Sequence, residues 1–240
     1  MIATGGKALY GARLGILMLE AQFPRIPGDM GNATSWDFPV HYKIVRGASP
    51  DKVVRQGADG LLDAFIDAAR DLVADGVDGI TTNCGFLGLF QQALTEAVPV
   101  PVLTSSLMQV DMVNRLLPAG KRAGILTISG SSLTDAHLQA AHVPLDTPIG
   151  TTEGMAEFTR AILDNELKLD IEKARSDNVQ AAKALITAHP EVGAIVLECT
   201  NMCPYARDIE QATGVPVFSI LTAVEWFHSG LRPRGFSDPV

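Results

Sequence analysis

Cys84 and Cys199 close two similar runs, Asp78-Gly-Ile-Thr-Thr-Asn-Cys84 and Gly193-Ala-Ile-Val-Leu-Glu-Cys199. Beyond each, a proline opens a further apolar run, Pro101-Val-Leu-Thr-Ser and Pro216-Val-Phe-Ser-Ile. Both pairs of landmarks are 115 residues apart (199 − 84 and 216 − 101), with no gap between them. The repeated frame is that of a duplicated half-domain in which each copy contributes a thiol. A thiol ending a strand and starting a helix sits among unpaired N–H groups and near the positive end of a helix dipole, which is expected to lower its pKa from about 8.5 toward neutrality. Two such thiols facing one cleft suit proton transfer at a carbon acid: one thiolate removes a proton from one face and the other thiol returns one to the opposite face.

The charge that develops on the carbon acid needs donors. Thr82, Asn83 and Gly85 flank the first thiol; Thr200 and Asn201 flank the second. The run Ser129-Gly-Ser131-Ser132 follows another strand, and small hydroxyl residues with free N–H groups at strand ends make a cradle for a carboxylate. The candidate catalytic residues are therefore Cys84 and Cys199. The candidate substrate contacts are Thr82, Asn83, Gly85, Thr200, Asn201, Ser129 and Ser131. Arg25 joins them from residues 21–39, a long loop with three Pro and two Gly that also offers Asn32, Ser35 and Trp36.

The elements that must position these groups can be read from periodicity. Leu14-Gly-Ile-Leu-Met-Leu19 is a short apolar run, as in a strand covered on both faces. Val40–Val45 is a second strand, and Leu61, Leu62, Phe65, Ile66, Ala69, Leu72 and Val73 recur at helical spacing, predicting one helix over 52–75. A strand at 79–84, a helix at 86–97 and a strand at 101–105 follow. The pattern restarts at Arg122-Ala-Gly-Ile-Leu-Thr-Ile128, with a weaker strand near 146–151, helices over 152–164 and 168–188, and strands at 194–199 and 215–220. Alternation of strands and helices predicts parallel sheets with right-handed crossovers. The expected fold is α/β: two quasi-repeated Rossmann-like halves, each a four-stranded parallel sheet flanked by helices, with the site in the cleft between them. The expected division is 1–106 plus 221–240 for the first half and 107–220 for the second. In open parallel sheets ligands bind at the carboxyl ends of the strands, where both thiols fall.

Composition narrows the partners. In 240 residues with 47% apolar content a sizeable core can form, and a net charge of −8 argues against nucleic acid or an anionic membrane. Three cysteines favour free thiols and a reducing compartment. No secretory signal or membrane span is apparent, so the cytoplasm is expected.

Leu197-Glu-Cys-Thr200 resembles the Leu-Gly-Cys-Thr motif of the aspartate/glutamate/hydantoin racemase superfamily, and Thr82-Asn-Cys84 resembles its first-cysteine motif. The likeness covers nearly the whole chain. It implies a cofactor-independent racemase or epimerase, with Cys84 and Cys199 as the acid/base pair at the α-carbon of a small carboxylate, an amino acid such as aspartate or glutamate, or a hydantoin. It also implies no cofactor and no metal, implies carboxylate contacts from Asn83 and Thr200, and allows a homo-oligomer. The chain departs from the pattern in three places. Asn83 precedes the first thiol and Gly85 follows it, Glu198 stands where glycine is usual, and Leu19-Glu20-Ala21 replaces Asp-Ser-Gly. The alternatives are a maleate-type cis–trans isomerase, another thiol-dependent lyase acting on a small dicarboxylate, and a small-molecule-binding protein on the same fold. Cys203 has no thiol counterpart in the first half and is expected to be a packing residue. Met108 and Met112, at helical spacing, are expected in the core.

Overall fold

In the computed structural model, which describes residues 2–233 and 235, every side chain of the first strand β1 (Leu14–Leu19) is buried. A run with no polar alternation can be sustained only where helices cover both faces of a sheet. β1 pairs in parallel with β2 (Val40–Val45) and β3 (Gly79–Thr82), and β3 with β4 (Val102–Leu103), giving the order β2-β1-β3-β4. The second sheet holds β5 (Arg122–Thr127), β6 (Ile149–Thr151), β7 (Val192–Leu197) and β8 (Val217–Phe218), all parallel, in the order β6-β5-β7-β8. The same strand order in each sheet is the duplication expressed as topology. The offset of 115 carries β4 onto β8 and the 3-10 turn Gly85–Phe90 onto the 3-10 turn Thr200–Tyr205, residue for residue.

Nine α-helices flank the sheets among the described residues. They are α1 (Pro50–Val54), α2 (Leu62–Asp75), α3 (Gln91–Ala97), α4 (Val110–Leu116), α5 (Asp135–Ala140), α6 (Phe158–Leu163), α7 (Ile171–Ala188), α8 (Ala206–Thr213) and α9 (Ile220–Leu231). The single helix expected over 52–75 is two: Gly57, Ala58 and Gly60 all take positive φ, a conformation no helix interior accepts, and the chain breaks between α1 and α2. The helix expected over 152–164 is only α6, because Gly154 also turns left-handed (φ 81°) ahead of it. Met108 and Met112 are 36% and 43% exposed, on the outer side of the 3-10 turn Ser106–Gln109 and of α4. Their spacing is helical, but their face is not the buried one.

α9 lies on the first sheet, where Ile220, Ala223 and Val224 join Leu14, Ile16 and Met18 in one cluster. Buried hydrogen bonds from small side chains sew the two sheets together. Ser106 Oγ donates to Leu197 O at 2.6 Å and Thr200 Oγ1 to Asn83 O at 2.6 Å. No helix among the described residues is long and apolar enough to cross a membrane.

Removing one of these ties leaves a buried carbonyl without its partner, at a cost of about 1–3 kcal/mol. Ser106→Ala is expected to lower the unfolding free energy by that amount with an unchanged urea m-value. An effect near zero would mean that the tie adds nothing to the joining of the halves.

Candidate active site

Both thiols end a central strand of their sheet. β3 stops at Thr82 and β7 at Leu197, and in each half the chain then tightens into a 3-10 turn whose N-cap is the cysteine. The turns close alike: Leu87 N–H donates to Cys84 O and Met202 N–H to Cys199 O, both at 3.1 Å. The repeated geometry brings Cys84 and Cys199 to the wall of one small cavity. Asn83, Thr200, Asn201, Arg25 and Glu198 line the same space, together with the apolar side chains Leu19, Phe23, Pro50, Val54, Phe86, Ile128, Ile162 and Leu163.

Of the expected contacts, four fall elsewhere. Ser129 and Ser131 are spent on one another, on Ser132 and on Glu153, in a neighbouring depression. Glu153 is an anion there, and it corrects the reading of this loop as a carboxylate cradle. Thr82 is fully buried and donates to Thr104 O at 2.7 Å and to Cys84 O at 3.0 Å, so it holds the first turn without reaching the cavity. Gly85 serves by having no side chain: a Cβ there would lie 2.3 Å from both the backbone O and Oε1 of Glu198. In the 21–39 loop, Asn32 caps a 3-10 turn, Ser35 holds Gly28 N–H and Asp29 O, and Trp36 is buried against Met30 O and Tyr42. Of the four candidates from this loop, only Arg25 reaches the site.

Arg25 lies over the Phe23 ring, 4.6 Å from its centroid, and pairs through Nη1 with Asp29 at 2.9 Å. Its Nη2 is buried with no partner. Asp29, 2% exposed, is a residue the sequence reading did not single out. It accepts from Arg25 and Gly31 N–H through one oxygen and from Asn201 Nδ2, at 2.6 Å, through the other. Asn201 Oδ1 in turn accepts from Cys199 Sγ at 3.6 Å. A chain of contacts thus runs from the first-half loop through Asp29 to the second thiol. Asp29 between two glycines forms an Asx-type turn, which the run Gly28-Asp29-Met30-Gly31 does suggest; its partner 172 residues away it does not.

Glu198 is fully buried beside both thiols. Its Oε2 accepts from Thr127 Oγ1 at 2.7 Å and its Oε1 has no partner. In the duplicated frame it occupies the place of Asn83, whose carboxamide oxygen accepts from Leu19 N–H at 2.7 Å. Burial pushes the Glu198 carboxyl up from 4.5 to about 8, against smaller downward pulls from the Thr127 hydroxyl and the Ile128 N–H. The thiols behave differently from the expected activation by helix N-termini. Burial, then the Glu198 charge, pushes Cys84 up to about 12, and the same two causes push Cys199 well above its ordinary value. Removal from water outweighs the N–H groups of Phe86 and Leu87 at Cys84 and of Asn201 at Cys199. Arg25 favours a thiolate at Cys84, whereas Cys84 and Cys203 both disfavour one at Cys199. Cys203 itself is buried and faces Ser219.

A family model described as Asp/Glu/Hydantoin racemase matches residues 55–226. A dimethylsulfoniopropionate lyase of Durusdinium sp. clade D is 30% identical over 242 residues, covering 95% of this chain and 78% of the relative. Dimethylsulfoniopropionate lyase 7 of Emiliania huxleyi (strain CCMP1516) is 29% identical over 234 residues, covering 92% of this chain and 68% of the relative. Among solved structures, allantoin racemase from Klebsiella pneumoniae superposes with a TM-score of 0.61 at 18% identity, over 91% of this chain and 87% of that one, a likeness of fold.

The raised Glu198 carboxyl has a consequence for stability. The unfolded chain gives up this proton near 4.5, while the folded chain keeps it to about 8. The group's contribution is therefore fully present below 4.5 and is lost as pH rises through 8, reaching a penalty on the order of a few kcal/mol. Glu198→Gln, which cannot ionise, is expected to raise the melting temperature increasingly between these two pH values and little below them. A difference from wild type that is flat with pH would show that Glu198 is not held protonated.

Proposed function

This chain belongs to the Asp/Glu/hydantoin racemase family, and from that premise we propose that it is a cofactor-independent lyase. In this reading it abstracts the α-proton of a small β-onium carboxylate of the dimethylsulfoniopropionate type and expels the β-substituent. The observation that carries the reading is the make-up of the thiol cavity: mostly apolar walls around two thiols, one guanidinium with a spare N–H and one buried acid.

Each part has a role in the elimination. Arg25 Nη2 and the amide of Asn83 would take the substrate carboxylate. Neutralising it lowers the cost of placing negative charge on the adjacent carbon and stabilises the enediolate that forms. The thiolate of Cys84, which the Arg25 charge favours, takes the α-proton. The electron pair of the Cα–H bond becomes the Cα=Cβ bond, and the pair of the Cβ–S bond leaves on sulfur. The products are acrylate, dimethyl sulfide and a proton, which passes from the thiol to solvent. Dimethyl sulfide departs neutral and needs no general acid. Apolar walls such as Phe23, Ile162 and Leu163 favour that step, because a sulfonium loses its hydration in them while the sulfide does not. The cation also offsets the burial that holds the thiol protonated.

A second reading, racemisation at an α-carbon, draws on the pairing of the thiols. Proton removal for elimination needs one base, and the cavity has a sulfur from each half. Products separate the two. Elimination predicts dimethyl sulfide in the headspace by gas chromatography and acrylate by NMR. Racemisation predicts deuterium at the α-carbon of a chiral acid in D₂O with no net conversion. If neither is seen across dimethylsulfoniopropionate, amino acids and hydantoins, both readings fail.

Cys84→Ser is expected to lower kcat/KM for dimethyl sulfide release by at least about 10², the low end of what a positioned acid/base group contributes. An active Cys84→Ser enzyme would exclude Cys84 as the base. Because the base must be a thiolate and the Cys84 thiol is pushed up to about 12, kcat/KM is expected to rise with pH across the neutral and mildly alkaline range. A rate that falls over that range would point to a protonated group as the one required.

A further inference from the structure

We propose that Glu198 is the counter-ion of the substrate's onium group, and so the residue that makes the cavity select zwitterions over simple carboxylates. This rests on the β-onium carboxylate reading of the site and deepens it.

The geometry carries the assignment. Among the residues that line the thiol cavity, Arg25 is the one base and Glu198 the one acid. Each already has a partner of its own: Arg25 pairs with Asp29, and Glu198 accepts from Thr127. The two groups therefore do not pair with one another. Each also keeps one buried polar atom unpaired, Nη2 of Arg25 and Oε1 of Glu198. A buried unpartnered polar atom is costly, and a pair of them with opposite charge in one small cavity is the complement of a ligand with a carboxylate and a cation a few bonds apart.

The duplication sharpens the point. Asn83, the equivalent residue of the first half, has the same place beside its thiol but is neutral and uses its carbonyl oxygen on Leu19 N–H. The fold therefore does not require a charge at this position, and the second half has one. Gly85 leaves the room that the carboxylate occupies. Burial holds the Glu198 proton, and a cation bound beside it offsets that burial and favours the carboxylate. The sulfonium carries no N–H and forms no hydrogen bond, so what Glu198 supplies is charge at close range in a low-dielectric space.

The test uses two non-reacting ligands of nearly the same shape, 3-(dimethylamino)propanoate, cationic at nitrogen at pH 7, and 4-methylpentanoate, neutral at the matching carbon. Binding of each is measured by isothermal titration calorimetry to the full-length wild-type protein and to Glu198→Gln. Wild type is expected to bind the ammonium acid at least about tenfold more tightly, the worth of one modest charge contact. Glu198→Gln is expected to lose that preference while binding 4-methylpentanoate within about threefold of wild type. The wild-type preference needs no variant and stands if the variant fails to fold; a wild-type protein that prefers the neutral acid, or binds neither, overturns the proposal. So does a Glu198→Gln protein that keeps the preference, or that weakens both ligands equally. Dimethyl sulfide release is read separately. Wild type that releases it while Glu198→Gln keeps the preference sinks the counter-ion and leaves the elimination. Wild type that prefers the ammonium acid through Glu198 but releases no dimethyl sulfide sinks the elimination and leaves the counter-ion.

Discussion

Taking Cys84, Cys199 and Glu198 out of water together sets the character of this site. Each would ionise more easily in solvent, and each is held in its neutral form by burial. Their charges also oppose one another, so the cavity resists acquiring a single negative charge and resists a second more strongly. Against them stands one guanidinium, already half committed to Asp29. In a site so buried, a cationic ligand lowers the cost of forming a thiolate, and that is what the proposed reaction requires. The proposed onium substrate meets that requirement and a simple amino-acid carboxylate meets it less directly, through its ammonium.

The two halves reach this state with the same scaffold and different residues. Strand, cysteine and 3-10 turn repeat at a fixed offset, because the distance from a central strand end to the start of the next helix is set by backbone geometry and tolerates no insertion. Side chains around the thiols are free of that constraint. Asn83 faces Glu198 in the repeat, and Gly85 faces Thr200. The second exchange is complementary across the interface: Gly85 makes space for Glu198 from the other half, and Thr200 ties itself to Asn83 O. Neither half could form its side of the cavity alone.

What the sequence made legible follows the same line. The succession of strands along the chain, the two parallel sheets and the placing of Cys84 and Cys199 at one cavity are legible because they depend on local runs and on a repeat that survives in spacing; the order of strands within each sheet is not. The division of 52–75 into two helices was missed because Gly57 and Gly60 flank too short a stretch to disturb the apolar periodicity around them. Met108 and Met112 show the limit of periodicity itself, which finds a face and not what covers it. Asp29 was illegible because its partners lie on another element far along the chain. The acidity of the thiols was misjudged for a related reason. The N–H groups at the turn are visible in sequence and lower a pKa, while the desolvation that outweighs them depends on what the other half brings over the top.

The step from racemase-type to lyase-type chemistry on this frame is small in physical terms. Both begin with removal of a proton next to a carboxylate and both need the resulting enediolate held by fixed donors. They part at the next bond. If the β-carbon bears only groups that leave as poor anions, the enediolate waits until a proton returns, and a thiol on the opposite face inverts the centre. If it bears a sulfonium, the electron pair has a route to a neutral leaving group, and expulsion competes with reprotonation. On the proposed reading the walls decide that competition: a polar wall hydrates and stabilises the cation, whereas apolar walls such as Phe23, Ile128, Ile162 and Leu163 would favour the departing sulfide. The same pair of sulfurs is compatible with either outcome, and under the proposal the choice between them falls to the side chains that meet the β-substituent, Glu198 foremost.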